Sequence, residues 1–170
     1  MGNFGHMRIH FIIPVIALIL TSCAPRMAII DRYSTQEKKT VEWVKGKGDA
    51  SRVVKRIEYY PGGKKKSEVD IKTGQKNGKY IGFHKNGTTA VIGKYAGNQQ
   101  TGKWTWTGMA GVIDSIHTYN NGLLHGKTKY YLDGTTYIQK EYTSGKLNGK
   151  FVEYYSNGIK KIVGSYLGNL

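Results

Sequence analysis

The chain has 170 residues, room for one domain with appendages, and a single cysteine, which excludes an intrachain disulfide. Its 26 Lys and Arg against 11 Asp and Glu give a formal charge of +15, which favours polyanionic partners or a surface kept soluble by charge. With 23 Gly and 13 Tyr but only 4 Phe, the composition is that of turn-rich β-structure with amphipathic aromatics and offers little for a thick helical core.

The chain begins MGNFGHMRIHFIIPVIALILTSCAPR. Arg8 precedes an apolar run from Ile9 to Leu20, and the small residues Thr21 and Ser22 lead to Cys23. This is the order of parts in a secretory signal peptide, and the run is too short to span a bilayer comfortably as a helix. Met7 is an alternative start. Leu20-Thr21-Ser22-Cys23 also resembles the bacterial lipobox. The resemblance implies cleavage of 1–22, a diacylglycerol on Cys23 and a firm hold on the membrane. Ala24, where an Asp would signal retention, implies the outer membrane, facing the periplasm. The competing reading is an uncleaved anchor in which Cys23 is an ordinary residue. Loss of 1–22 removes Arg8 and no acidic residue, so 25 basic and 11 acidic side chains leave the mature chain at +14. Export argues against a nucleic-acid partner. Residues 23–52 are then expected to hold the lipidated cysteine, a tether over 24–40, and a strand at Val41 to Val44 that caps the first repeat.

From 53 to 170 the sequence repeats. Gly-Lys pairs start at Gly78, Gly102, Gly126 and Gly149, at intervals of 24, 24 and 23. A second series, Gly63, Gly87, Gly111, Gly134 and Gly158, runs at 24, 24, 23 and 24 and marks hairpin tips. Two series with one period and one shared contraction indicate a building unit rather than a single active-site loop. Asn86-Gly87, Asp133-Gly134 and Asn157-Gly158 are strong tight-turn signals, because these residues tolerate positive φ. Four and three places before the tip glycine stand Tyr59-Tyr60, Phe83-His84, Thr107-Gly108, Tyr130-Tyr131 and Tyr154-Tyr155. In the return strands Val91 is in phase with Tyr95, Ile138 with Tyr142 and Ile162 with Tyr166. A lone hairpin cannot bury its apolar face, so neighbouring units must stack. The expected fold is therefore all-β: an elongated, twisted antiparallel meander of about five β-hairpin repeats, with about ten strands from 53 onward.

The phrase G-K-[aromatic]…Y-Y-x-N-G…G-x-Y-x-x-G-x-x-x-G resembles the MORN-repeat variant of bacterial proteins in the YwqK antitoxin family, over 53–170. The resemblance implies a repeat fold and, through the family label, an antitoxin or immunity-type role against an acidic toxin. Unit three departs from the pattern with TGMAG at its tip, unit four lacks an aromatic after Lys127, and unit five stops at Leu170. Its last strand, Ile159 to Tyr166, is expected as an open edge. Lys160 and Lys161 would discourage aggregation there, although edge-mediated self-association is open to such an array.

No catalytic, cofactor or metal motif stands out. His84, His117 and His125 lie in no metal-ligand spacing, and His84 takes a slot that is Tyr in three other units. Glu68 and Asp70 share a strand face amid lysines, which reads as surface charge pairing. What remains is a surface. Lys79, Lys103, Lys127 and Lys150 recur beside Tyr80, Trp104 and Phe151. They form either a ladder that grips anionic headgroups or glycans through charge and cation–π contacts, or solvated lysines beside aromatics that pack across strands. Trp104 and Trp106 are expected as the exceptions that offer a partner a docking point. The function expected is a non-enzymatic, lipid-anchored binding or scaffolding module of the cell envelope, engaging a protein or an anionic envelope component. The antitoxin is the second reading.

Overall fold

The computed structural model describes residues 24–168; Cys23 and the expected leader lie outside them. The described chain is all-β, one open antiparallel sheet of 13 strands. In order these are β1 (Arg26–Arg32), β2 (Lys38–Lys45), β3 (Arg52–Tyr59), β4 (Lys65–Lys72), β5 (Gln75–Phe83) and β6 (Thr89–Ala96). There follow β7 (Gln99–Thr107), β8 (Ile113–Asn120), the two-residue β9 (Leu123–Leu124), β10 (Gly126–Leu132), β11 (Thr135–Thr143), β12 (Lys146–Tyr154) and β13 (Lys160–Tyr166). Each strand pairs with its sequence neighbours except that β10 pairs with β8, leaving β9 on a turn. At a strand spacing of about 4.8 Å, the meander spans roughly 50 Å from β1 to β13.

The tether expected over 24–40 is instead structured. Residues 26–45 form a hairpin, β1 with β2, and β2 adds to β3, so two strands precede the repeats rather than the single one expected at Val41 to Val44. Its tip has the geometry of the later tips. Tyr33 N–H donates to Glu37 O and Gln36 N–H to Tyr33 O, as Tyr60 N–H donates to Lys64 O and Gly63 N–H to Tyr60 O. Gln36 holds the left-handed conformation, at φ 65°, where the other units carry glycine. The glycine series misses this unit because a glutamine accepts the strain.

The Gly-Lys phrase proves to be a β-bulge. Val69 pairs with Tyr80 and Ile71 with Lys76, so Asn77, Gly78 and Lys79 face the single residue Asp70. The same count sets 102–104 against Gly93 and 148–150 against Glu141. Residues forced out of the ladder need other partners. Lys79 N–H donates to Asp70 Oδ2 and Lys150 N–H to Glu141 Oε2, both at 3.0 Å. The glycine is required because φ is +123° at Gly78 and +106° at Gly149, with the opposing carboxylates packed where a Cβ would stand.

The shared contraction in both glycine series lies in one tip. Leu132 pairs directly with Thr135, leaving a two-residue loop of Asp133 and Gly134, whereas the other repeat tips keep three residues. The bulge after Tyr130 aligns Tyr131 with Tyr59, Phe83, Thr107 and Tyr154. The alignment by tip glycine is therefore one residue out in unit four: Tyr131-Leu132, not Tyr130-Tyr131, matches Tyr59-Tyr60.

With a single layer, the core is divided between two faces. On one, a row of paired residues crosses twelve strands from Ile29 through Val41, Ile57, Glu68, Ile81, Ile92, Thr105, Ile116, Lys129, Gln139 and Val152 to Val163. Val41, Ile57 and Val152 are buried there. On the other face the buried apolar residues are Val69, Ile71 and Trp104.

Candidate functional site

Strand alternation decides where the expected binding residues point. Lys79 pairs with Lys94, and Ile81 with Ile92, while Tyr80 pairs with Gly93 on the opposite side. Lys103 pairs with Thr118 and Trp104 with His117; Lys127 pairs with Glu141; Lys150 pairs with Ser165 and Phe151 with Gly164. All four bulge lysines thus stand on the face of the Ile29–Val163 row. Tyr80, Trp104, Trp106 and Phe151 stand on the other. The mixed lysine–aromatic ladder does not form, because adjacent residues in a strand face opposite ways. The cation–π contacts that do occur use other lysines, such as Lys76 over Tyr95 at 5.1 Å and Lys140 over Tyr130 at 5.9 Å.

The aromatic face is a packed run. Trp104 lies against Tyr80, Tyr95, Trp106 and Tyr119, with ring centroids 5.1 to 6.2 Å apart, and its Nε1–H donates to Lys94 O. At 2 % exposure it is core, so the docking role expected of it is withdrawn. Gly93 makes this possible: a Cβ there would fall 2.1 Å from the indole. Trp106, half-buried, stacks on His117 at 4.4 Å, and His117 leads on to Tyr130. Burial pushes the phenols of Tyr80, Tyr95, Tyr119 and Tyr130 up from their ordinary range. It pushes the His117 imidazole down, which favours the neutral ring. His117 Nε2 and Thr128 Oγ1 are buried on this face, with no hydrogen-bond partner among the described residues.

The lysine face has the opposite character. Lys79, Lys94, Lys103, Lys127 and Lys150 are exposed, and among the described residues none of their ammonium groups forms an ion pair or hydrogen bond. Lys79 and Lys94 stand directly opposite each other, an arrangement that like charges disfavour. Together with Lys103 they line a shallow depression of about 340 Å³ floored by Ile92 and Gly93. Lys94 carries no repeat signal; only the cross-strand register brings it to Lys79. Glu68 and Asp70 lie on the same face, where Lys55 reaches both at 3.8 and 3.4 Å and Lys65 reaches Glu68 at 3.0 Å, the charge pairing their spacing suggests.

Compared with known proteins, the chain matches no family model and no curated protein sequence.

Proposed function

We propose that the protein is a non-enzymatic binding module of the cell envelope, held at the membrane through Cys23, whose lysine face engages an anionic partner. One observation carries the reading: three unpaired lysines, two of them directly opposed, surround one depression on a flat sheet face. Unneutralised like charges at close quarters are relieved by a bound anion, and a flat face suits an extended polyanion or an acidic protein surface better than a small metabolite. The isoleucines beside the lysines give such a partner apolar surface to cover.

The test is in-cell cross-linking of the full chain, comparing wild type with Lys79→Glu, Lys94→Glu, Lys103→Glu. Reversal of the three charges should cut captured partner at least about tenfold, and rising salt should weaken capture by wild type. A partner retained equally by both proteins would remove the lysine face from the function. If the captured species is an acidic protein whose toxicity this chain relieves, the module acts as an antitoxin-like neutraliser; an acidic glycan or lipid makes it an envelope adhesin.

A further inference from the structure

Along the tip side of the sheet, side chains stitch the N-terminal hairpin and the first three repeats together. Tyr33 Oη donates to Tyr59 O at 2.8 Å, Tyr60 Oη donates to Phe83 O at 2.9 Å, and His84 Nε2 donates to Thr107 O at 2.7 Å. In every case the stitching residue is the one whose N–H closes its own tip. The next member of the series is Gly108, whose N–H closes its tip on Val112 O in the same way but which has no side chain. The matching acceptor in the following unit is Tyr131 O, to which no side chain among the described residues donates.

Where the fourth rung is missing there is an open cleft of about 580 Å³ between the tips of units three and four. Its apolar walls are Met109, Val112, Ile113 and Leu132, with Met109 66 % and Leu132 63 % exposed. Its charged groups are the carboxylates of Asp114 and Asp133, neither of them in an ion pair among the described residues, and no Lys or Arg lines it. In a chain of charge +15 this is a local patch of the opposite sign. Gly108 is not one of the positive-φ glycines, and the nearest atoms to a Cβ on it are those of the exposed Asp114 carboxylate, at 3.2 Å, which a small side-chain shift relieves. The backbone therefore accepts a side chain that the sequence withholds.

We propose that this cleft is a docking site for an aromatic side chain bearing a hydrogen-bond donor, flanked by a basic residue, on a partner polypeptide. The three filled slots show what fits: a tyrosine or histidine donating to the strand-end carbonyl. The two aspartates supply the complement to a basic neighbour. The site lies at the tips, apart from the lysine face, and stands or falls independently of it.

The probes are the peptides acetyl-Arg-Tyr-Arg-amide, its Phe counterpart and acetyl-Glu-Tyr-Glu-amide, titrated into the full chain and followed by amide shifts of the tip residues. The Arg-Tyr-Arg peptide should bind in the millimolar range or tighter, and Phe in place of Tyr should weaken it by about tenfold through loss of the donated bond. Gly108→Tyr should supply the rung internally, raising Tm and abolishing peptide binding. Gly108→Phe should block binding with a smaller gain in Tm. The proposal is overturned by absence of binding to wild type, by equal affinity for all three peptides, by unchanged binding to Gly108→Tyr, or by a fall in Tm in that variant. It is equally overturned if the cleft is filled by a second copy, seen as a dimer that Gly108→Tyr dissolves.

Discussion

At the residue scale, the centre of the aromatic face is a pair, Trp104 and Gly93, that only works as a pair. The indole lies where the glycine has no Cβ, so Gly93→Ala drives a methyl into the ring at 2.1 Å. Relief requires the indole to leave its place among Tyr80, Tyr95 and Tyr119. We expect a loss of about 3 kcal/mol in denaturant unfolding, with a shift in tryptophan emission. His117 gives a pH signature. Burial lowers its folded pKa below the value of about 6.5 in the unfolded chain, so the unfolded state takes up its proton first as pH falls. The contribution of His117 to stability is complete above the unfolded pKa and is eroded as pH drops towards the folded one. His117→Phe should remove this component of the slope between pH 7 and 5, measured by denaturant midpoints. An unchanged slope would exclude the buried imidazole as its source.

At the element scale, the repeated Gly-Lys is a bulge whose glycines are under unequal constraint. Gly149 sits at φ +106° with Glu141 Oε2 2.7 Å from a would-be Cβ, whereas Gly102 sits at φ +65° with open space around it. Gly149→Ala should therefore cost about 2 kcal/mol or more, and Gly102→Ala about 1 kcal/mol, the ordinary cost of a left-handed residue. Equal losses in thermal unfolding would mean that backbone conformation alone governs the bulge. The carboxylate that accepts the bulge N–H ties the element together: Asp70 and Glu141 are structural parts of the hairpin stack.

At the scale of the whole molecule, an open sheet has two edges, and both carry apolar side chains. Met27 and Ile30 are at least half exposed on β1, and Ile162 and Val163 are 47 % and 57 % exposed on β13. Every residue of β13 is exposed, and its lysines guard it. Lys161 is fixed by Glu153 at 2.6 Å, a contact that raises the pKa of the ammonium and keeps its charge at the edge. Replacing Lys160 and Lys161 with threonine should strengthen self-association by about tenfold in sedimentation velocity. Association insensitive to this change would place the contact elsewhere than β13.

The hairpin period, the all-β class and the tip turns were legible in the sequence because they follow from local chemistry. Glycine and asparagine at positive φ, and the alternation of apolar residues, act within a few positions of the chain. The N-terminal hairpin escaped the same reading only because Gln36 stands at a tip where glycine is the usual mark. Tertiary structure alone decided what depends on pairing between strands. The register of β5 on β6 set Lys79 beside Lys94, while strand alternation parted the lysines from Tyr80, Trp104 and Phe151, which sequence adjacency had grouped. Cross-strand packing turned Trp104 from a surface candidate into core. The missing rung at Gly108 has meaning only against the hydrogen bonds that join one unit to the next, contacts about two dozen residues apart in sequence that no local pattern encodes.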